Sequence, residues 1–306
     1  MKYLISILIF LVLPLGTAIA QCGNTLDWQD ASCQVISSSQ QLTTAIINGL
    51  NDPSAWTVVS RHGEYAQSET ECNIPSQVAA ASGKLTITTA AQGYTCGDWF
   101  TDGSVRTVPT AWPYSTGDVQ WNAFSFLYGT VTIHGRMPDP STRLWPAFWL
   151  LASNCQNSNK FSGDTGFGGC PNIGQSGYHE IDIVENYGGT EQFHVANPSF
   201  GIGNGCDASY TWDANVHTWQ LVWTASNIKL YQDAVLITTC NQAINAPMFF
   251  IMQVQTGGAG GTPNNSMLPA SMELDYLQVQ NSSGTVIFYD DFIPSSPSKG
   301  LVLVLG

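Results

Sequence analysis

The sequence predicts an all-β fold in which two antiparallel sheets pack face to face, as a sandwich or a jelly roll. Short stretches in which apolar and polar residues alternate recur along the chain, as expected for strands with one buried face. Turns rich in Gly, Asn and Pro separate them, and helical periodicity is weak, its best stretch being residues 38–50. The clearest predicted strands are residues 83–89, 128–134, 219–239 with turns at 226–227 and 232–233, 249–254 and 272–279.

The first 20 residues have the pattern of a signal peptide. Lys2 precedes an apolar run at residues 3–15, and Ala18-Ile19-Ala20 is a cleavage site of small residues. The run is shorter than the ~20 residues that a bilayer-spanning helix needs. We therefore expect a secreted, extracellular protein that is not membrane-bound after cleavage.

The remaining chain predicts a single domain. Residues 21–293 contain no linker-like stretch, and all-β sandwiches often reach this length. Residues 294–306 form a Pro/Ser-rich tail with an apolar end. Two long glycine-rich loops, residues 154–177 and 257–265, are candidates for functional loops because connections of this length are uncommon.

The eight cysteines of the chain predict disulfide bonds. An even number of cysteines in an exported chain is typical of a disulfide framework. Metal binding is the weaker alternative, because no pair has the Cys-x-x-Cys spacing of a zinc site. The sequence leaves the connectivity open, and pairing of neighbours along the chain is our working hypothesis. The cysteines are Cys22, Cys33, Cys72, Cys96, Cys155, Cys170, Cys206 and Cys240.

The charge balance disfavours polyanionic partners. The chain has 22 acidic and 9 basic residues and a formal net charge of −13, so it would repel nucleic acids and anionic membranes. Only 10% of the residues are charged, whereas 10 Trp, 11 Tyr and 13 Phe are present. This composition suits a neutral carbohydrate ligand, although secreted β proteins of other functions share it.

Three acids lie on one predicted strand, in the stretch H-E-I-D-I-V-E at residues 179–185. Alternate residues of a strand share a face, so Glu180 and Asp182 point the same way while Glu185 would point to the other side. A β-bulge near residues 183–184 would return Glu185 to the shared face. Such a bulge leaves Ile181 and one of the next two apolar residues to the core.

Hydrolysis of a glycosidic bond uses a pair of carboxyl groups that face the substrate together. One carboxylic acid protonates the leaving oxygen, and a second carboxylate attacks the sugar or activates water. In that interpretation Glu180 is the nucleophile, Glu185 the acid/base and Asp182 an assisting carboxylate. The pattern alone also fits an edge strand protected by outward acids, or a calcium site.

The stretch G-Y-H-E-I-D-I-V-E at residues 177–185 resembles the active-site signature of glycoside hydrolase family 16, in the bulged form of its laminarinase-like members. Four other stretches agree with the family in the same order, over roughly residues 80–290. They are L-W-P-A-F-W-L-L at 144–151, Y-G-T-V to M-P at 128–138, H-T-W-Q-L-V-W to Y-Q-D-A at 217–234, and M-E-L-D-Y-L-Q-V at 272–279.

The resemblance implies a β-jelly-roll sandwich with a concave cleft, and retaining hydrolysis of β-1,3 or mixed β-1,3/1,4 glucans. It assigns the nucleophile to Glu180, the assisting carboxylate to Asp182 and the acid/base to Glu185. The sequence departs from the family at Thr132 and His134, where Glu and Arg are common, and at Gln253, where Asn is common. At these positions the resemblance gives no expectation about the details of the substrate subsites.

Several further side chains are predicted to bind substrate. Trp145 and Trp149 share a face of their strand, and Trp145 could stack on a pyranose ring, burial in the core being the alternative for both. Trp99, Trp112 and Trp121 could extend this platform, Trp112 being our choice for a binding residue. His194 follows the acidic strand and is a better candidate than His179, which should face the opposite side; Gln253 completes the predicted set.

The sequence therefore predicts a monomeric endo-β-glucanase acting on a neutral β-glucan polysaccharide. The alternatives are another activity on the same scaffold, such as a galactan hydrolase or a glucan transglycosylase, or a non-catalytic glucan-binding protein. No cofactor and no catalytic metal are required. A structural calcium occurs in parts of the family, and Asp275 is one position that could contribute to it, although the sequence does not establish the ion.

Overall fold

The computed structural model describes residues 56–58, 61–63, 68–81, 83–99, 105–121, 124–155, 176–196, 206–242 and 244–292. The predicted signal peptide, the weak helical stretch at residues 38–50, most of the loop at 154–177 and the C-terminal tail lie outside these ranges. The strands of the described part are β1 (Trp56–Val58), β2 (Arg61–His62), β3 (Glu71–Asn73), β4 (Val78–Ala81), β5 (Lys84–Thr89), β6 (Tyr94–Trp99), β7 (Val105–Trp112), β8 (Tyr114–Thr116), β9 (Asp118–Trp121), β10 (Gly129–Arg136), β11 (Trp145–Ala152), β12 (Glu180–Tyr187), β13 (Thr190–Ala196), β14 (Ala208–Thr211), β15 (Val216–Trp223), β16 (Ile228–Gln232), β17 (Val235–Cys240), β18 (Met248–Gln255), β19 (Ala270–Gln280) and β20 (Val286–Asp290).

Two large sheets contain most of these strands. The seven-stranded sheet has the order β1-β9-β18-β11-β12-β13-β14, and the second has the order β17-β16-β15-β10-β19-β5-β4, with β20 also paired to β19. All pairings within both sheets are antiparallel, and several neighbours are distant in sequence, as in a jelly roll. The predicted all-β fold of two antiparallel sheets is confirmed.

The core lies between the inner faces of the two sheets, and the period-two pattern of the sequence accounts for it. In β5, for example, Leu85 and Ile87 are fully buried while the residues between them are half-exposed. The facing sheet contributes Phe148, Phe250 and Met252, each fully buried. Removing a large side chain from such a core costs about 2–5 kcal/mol, because transfer energy is lost and a cavity remains.

Trp121 belongs to this core. Its ring lies 4.7 Å from the rings of Phe124 and Phe288 and 5.5 Å from that of Phe250, and the residue is only 1% exposed. The hypothesis that Trp121 extends an exposed stacking platform is therefore wrong. Its position on β9, beside β18, turns the indole toward the second sheet rather than toward solvent.

Smaller elements and disulfides flank the sandwich. β2, β3 and β8 form a three-stranded sheet, and β6 and β7 form a hairpin. Cys72 is bonded to Cys96 and Cys206 to Cys240, as pairing of neighbours predicts. Cys155 is also disulfide-bonded. Within the described ranges, no helix is long and apolar enough to cross a bilayer.

Candidate active site

Strand β12 contains the predicted β-bulge. Against β11, Val184 pairs with Phe148 but Asp182 pairs with the very next residue, Trp149, so Ile183 is an additional residue in β12. The pairing with β13 shifts at the same place. A single inserted residue makes every side chain after it point to the opposite side of the sheet from where it would otherwise lie.

The bulge puts all three acids on one face of the seven-stranded sheet. Glu185, Asp182 and Glu180 pair with residues 147, 149 and 151 of β11, which alternate regularly and therefore share a side. The intervening apolar residues of β12 face the core, and all three are fully buried, which is one more than the sequence predicted. They are Ile181, Ile183 and Val184.

Burial dominates the electrostatics of Glu180 and Asp182, which are 6% and 3% exposed. It raises the pKa of Glu180 to about 8, with a further contribution from the charge of Glu185. Burial also raises the pKa of Asp182 well above its usual value, and the charges of Glu180 and Glu185 act in the same direction. A hydrogen bond between the carboxyl groups of Glu180 and Asp182 lowers the pKa of Glu180 and raises that of Asp182, so Asp182 is the donor of the pair.

Glu185 has a different environment from the other two acids. Burial raises its pKa, but a charge on His194 and a hydrogen bond from Trp145 both lower it. Trp145 Nε1 donates to Glu185 Oε1 at 2.7 Å, and His194 Nε2 lies 3.6 Å from Glu185 Oε2. Burial thus keeps the pKa of Glu185 above its usual value overall, while Trp145 and His194 provide partners for its ionised form. A carboxyl group that can both hold and release a proton is typical of an acid/base residue.

His194 lies beside this carboxyl, as the sequence predicts. It pairs with Asp182 across β12 and β13, and its Nε2 is 2.9 Å from the hydroxyl of Tyr187. On the other side of the ring, Nδ1 is 2.8 Å from Asp207 Oδ1. Sequence reasoning missed Tyr187 and Asp207. Tyr187 lies two residues after Glu185 and could have been found from the alternation of the strand, but no local signal points to Asp207.

Gln253 extends the same face toward the edge of the sheet. It pairs with Ala147 on one side and with Asp118 on the other, so a row of side chains runs from Asp118 through Gln253 and Ala147 to Glu185. Asp118 accepts a hydrogen bond from Gln120 at 3.0 Å. Asp118 is a further polar residue that the sequence did not single out.

The predicted tryptophans are placed differently from one another. Trp145 and Trp149 lie on the face of the acids and are 8% and 5% exposed. Trp112 lies in the β6–β7 hairpin, outside the seven-stranded sheet, where its ring stacks on that of His62 at 3.6 Å. It also packs against the cluster around the Cys72–Cys96 disulfide. A role of Trp112 in substrate binding stays a prediction.

No group of three or more His, Cys, Asp or Glu residues in the described ranges is arranged to hold a metal ion. Asp275, the position considered for calcium, lies 2.8 Å from His134 Nδ1 and 3.6 Å from Lys84 Nζ. Calcium binding is therefore not established. The chemistry available at the acidic strand is proton transfer and nucleophilic attack by carboxyl groups.

The buried acids predict a pH-dependent loss of stability. In the unfolded chain Glu180 ionises near pH 4.5, whereas in the fold its pKa is about 8. Between these values the unfolded state binds fewer protons, so the free energy of unfolding falls as pH rises. Glu180→Gln removes this term. We expect its Tm in calorimetry to equal the wild-type Tm at pH 4 and to exceed it by at least about 2 °C at pH 7.5.

Glu273→Gln is the matched control with the opposite sign. Burial raises the pKa of Glu273, but hydrogen bonds from Arg136 and Lys84 outweigh it and lower the pKa overall. The ionised Glu273 carboxylate therefore adds to the free energy of unfolding at neutral pH, and this contribution is lost as the pH falls through the lowered pKa. Glu273→Gln should therefore lower Tm at pH 7.5. Equal Tm changes in both variants at both pH values would contradict the assignment of a raised pKa to Glu180.

Comparison with known proteins finds two polysaccharide hydrolases that match about half of this chain. The chain is 27% identical over 194 residues to glucan endo-1,3-beta-glucosidase A1 of Niallia circulans, a match that covers 54% of this chain and 26% of that protein. It is 28% identical over 186 residues to the keratan-sulfate endo-1,4-beta-galactosidase of Sphingobacterium multivorum, covering 54% of this chain and 40% of the relative. The matches thus span less than half of either relative.

The fold is shared with solved structures. The endo-beta-1,3-glucanase of Pyrococcus furiosus superposes with a TM-score of 0.59 at 21% identity, covering 74% of this chain and 87% of that one. The sequence profile of glycosyl hydrolases family 16 matches residues 67–278, a range that contains the bulged strand and, except for Val279, the other stretches on which the resemblance rests. The chain belongs to glycosyl hydrolases family 16.

Proposed function

We propose that this protein is a retaining endo-β-glucanase that hydrolyses β-1,3 or mixed β-1,3/1,4 glucans. The observation that carries the proposal is the bulged strand β12, which presents Glu180, Asp182 and Glu185 together on one face of the seven-stranded sheet. Neither an edge strand with outward acids nor a binding protein requires this arrangement, in which Glu180 and Asp182 are buried and hydrogen-bonded to each other and the side chain of Glu185 is only 13% exposed.

The first step of the proposed reaction breaks the glycosidic bond. Glu180, as carboxylate, attacks the anomeric carbon while protonated Glu185 donates its proton to the leaving sugar oxygen. Asp182 keeps a proton on its side of the Glu180–Asp182 hydrogen bond, which directs the free electron pairs of Glu180 toward the substrate. The raised pKa of Glu185 supports its being protonated when substrate binds. Glu180, whose pKa is about 8, has to lose its proton before it attacks.

The second step releases the glycosyl-enzyme. Glu185, now a carboxylate, removes a proton from water, and the resulting oxygen attacks the anomeric carbon from the opposite side of the ester bond. The hydrogen bond from Trp145 stabilises the carboxylate form of Glu185 in this step. Retaining hydrolysis needs a separation of about 5 Å between the two carboxyl groups.

A neutral glucan is the proposed substrate because, apart from His194, the side chains beside the acids are neutral or acidic. Gln253, Trp145, Trp149 and Asp118 offer amide, indole and carboxylate groups, and no Lys or Arg from the described part of the chain forms an ion pair with the three acids. Sulfated or uronic substrates would require cationic partners. The resemblance to a keratan-sulfate galactosidase keeps a galactan hydrolase as the second candidate.

The substrate is tested by measuring reducing ends released from laminarin, lichenan and agarose, with Glu180→Gln as the blank. We expect hydrolysis of laminarin or lichenan and none of agarose. Glu180→Gln should still bind laminari-oligosaccharides in a thermal-shift assay while losing hydrolysis. Activity on agarose alone would replace the glucan proposal by the galactan one. Oligosaccharide binding by the wild-type protein without any hydrolysis would identify a binding protein.

Extracellular location is part of the proposal. It is supported by the signal-like residues 1–20 and by the disulfides Cys72–Cys96 and Cys206–Cys240, which are typical of oxidising compartments. N-terminal sequencing of protein recovered from the culture medium should start at Gln21. Retention of the full chain inside the cell would contradict it.

A further inference from the structure

The ring of His194 is held between the predicted acid/base and a carboxylate that has no part in the reaction described above. His194 is 5% exposed. Its Nδ1 lies 2.8 Å from Asp207 Oδ1, and its Nε2 lies 2.9 Å from the Tyr187 hydroxyl and 3.6 Å from Glu185 Oε2. Asp182 is its neighbour across the sheet. Titratable groups thus lie beside the ring on both of its nitrogen atoms and across the strand pair.

The contact with Asp207 selects one tautomer of the imidazole. An ionised carboxylate only accepts hydrogen bonds, so Nδ1 must carry a proton to donate to Asp207. In the neutral ring Nε2 is then an acceptor, and the Tyr187 hydroxyl donates to it. In the charged ring Nε2 carries a proton as well and turns a positive charge toward Glu185.

Asp207 is anchored although its side chain is partly open to solvent. It follows Cys206, whose disulfide to Cys240 ties the start of β14 to the end of β17, with 5.0 Å between the Cα atoms. Cys206 is 4% exposed, and the side chain of Asp207 is 27% exposed. A carboxylate in a fixed place beside a buried ring can control the orientation of that ring.

We propose that Asp207 is a positioning residue that holds His194 with Nδ1 protonated, so that Nε2 faces Tyr187 and Glu185 throughout the reaction. The inference rests on the proposed function, because it gives this ring a task only if Glu185 exchanges protons. Asp207 itself touches no reacting atom. Its effect on the reaction passes through His194.

The consequence concerns the ionisation of Glu185. Burial raises the pKa of Glu185, and a positive charge on His194 is the main influence that lowers it. Asp207 also acts on Glu185 directly and with the opposite sign, because its charge raises the pKa of Glu185. Without Asp207 the ring of His194 is no longer held beside Glu185, so Glu185 loses a fixed partner for its ionised form and should be a poorer base in the second step.

The kinetic test compares Asp207→Ala and Asp207→Glu with the wild type on whichever β-glucan the wild type hydrolyses. For Asp207→Ala we expect kcat to fall about 10-fold with KM nearly unchanged, since ground-state binding is not affected. Asp207→Glu should restore most of the lost kcat.

Asp213→Ala is the matched control. Asp213 also accepts from a histidine, with 3.0 Å between its Oδ1 and His217 Nε2, but this pair is outside the acidic strand. Its loss should leave kcat in place. The same fall of kcat in Asp213→Ala, or an unchanged kcat in Asp207→Ala, would overturn the proposal.

A second measurement does not depend on activity. In ¹⁵N-labelled protein, the histidine ring nitrogens report the tautomer, and His194→Gln identifies the signal of His194 among the five histidines. We expect a proton on Nδ1 of His194 in the wild type and its loss or exchange between tautomers in Asp207→Ala. An unchanged Nδ1–H signal would overturn the positioning role. Absence of any β-glucan hydrolysis by the wild type would instead remove the proposed function, with the NMR result still deciding the role of Asp207.

Discussion

Glu180→Gly is expected to lose β-glucan hydrolysis by about 10³-fold or more and to regain turnover when azide is added. The substitution removes the proposed nucleophile and leaves a space beside the anomeric carbon. Azide can enter this space and displace the leaving sugar directly, while Glu185 still protonates the oxygen. Because this is a single displacement, the product should be an α-glycosyl azide, measured by NMR of the anomeric proton.

Glu185→Gly is the matched variant, and the opposite anomer is expected from it. An aryl β-glucoside with a good leaving group needs no acid, so Glu180 can still form the glycosyl-enzyme. Azide then attacks in place of the water that Glu185 would have activated, and two displacements give a β-glycosyl azide. Both variants should unfold cooperatively near the wild-type temperature. The same anomer from both, or no response to azide in either folded variant, would contradict the assigned roles.

Deletion of the bulge residue Ile183 should reduce the hydrolytic activity less than deletion of both Ile183 and Val184. Without Ile183 the strand reads E-I-D-V-E, so the three acids alternate regularly and remain on one face. We expect at least about 1% of the wild-type activity to remain, since a misplacement of 1 Å can cost 10²-fold. Deletion of both Ile183 and Val184 gives E-I-D-E, which turns the last glutamate toward the core. This variant should have no measurable activity.

The two deletions are compared at equal folding. Each removes buried apolar side chains, at a cost of about 2–5 kcal/mol per large residue, so activity is measured at low temperature. Near-UV circular dichroism confirms native packing, and the fraction folded corrects the rate. If the folded double-deletion variant is as active as the folded single-deletion variant, activity does not depend on the side of the sheet to which Glu185 points. The assignment of Glu185 as the acid/base then fails.

The acidic strand was predictable in unusual detail from its own residues. Six residues from Glu180 to Glu185 cannot present three acids on one face of a regular strand, because side chains alternate with period two. The bulge follows from that conflict, and it is present at Ile183. The same periodicity placed the apolar residues of β5, β10 and β19 in the core.

The aromatic residues were less predictable. Trp145 and Trp149 share a face in the sequence pattern and in the structure, but alternation does not state whether that face is open or covered. Trp121 was judged a candidate for an exposed platform and is in the core. A tryptophan in an irregular stretch has no neighbours in sequence that determine its surroundings. Packing between the two sheets decides its place.

What the sequence by itself determined is the strand pattern, the facing of the acids and the family. What only the tertiary structure decided is which side chains surround those acids. Trp145 donates to Glu185 across 40 positions of sequence, and Asp207 reaches His194 from the start of another strand. The physical reason is that alternation within a strand depends on that strand alone. Contacts between strands depend on their order and register, which the packing of the whole sheet determines.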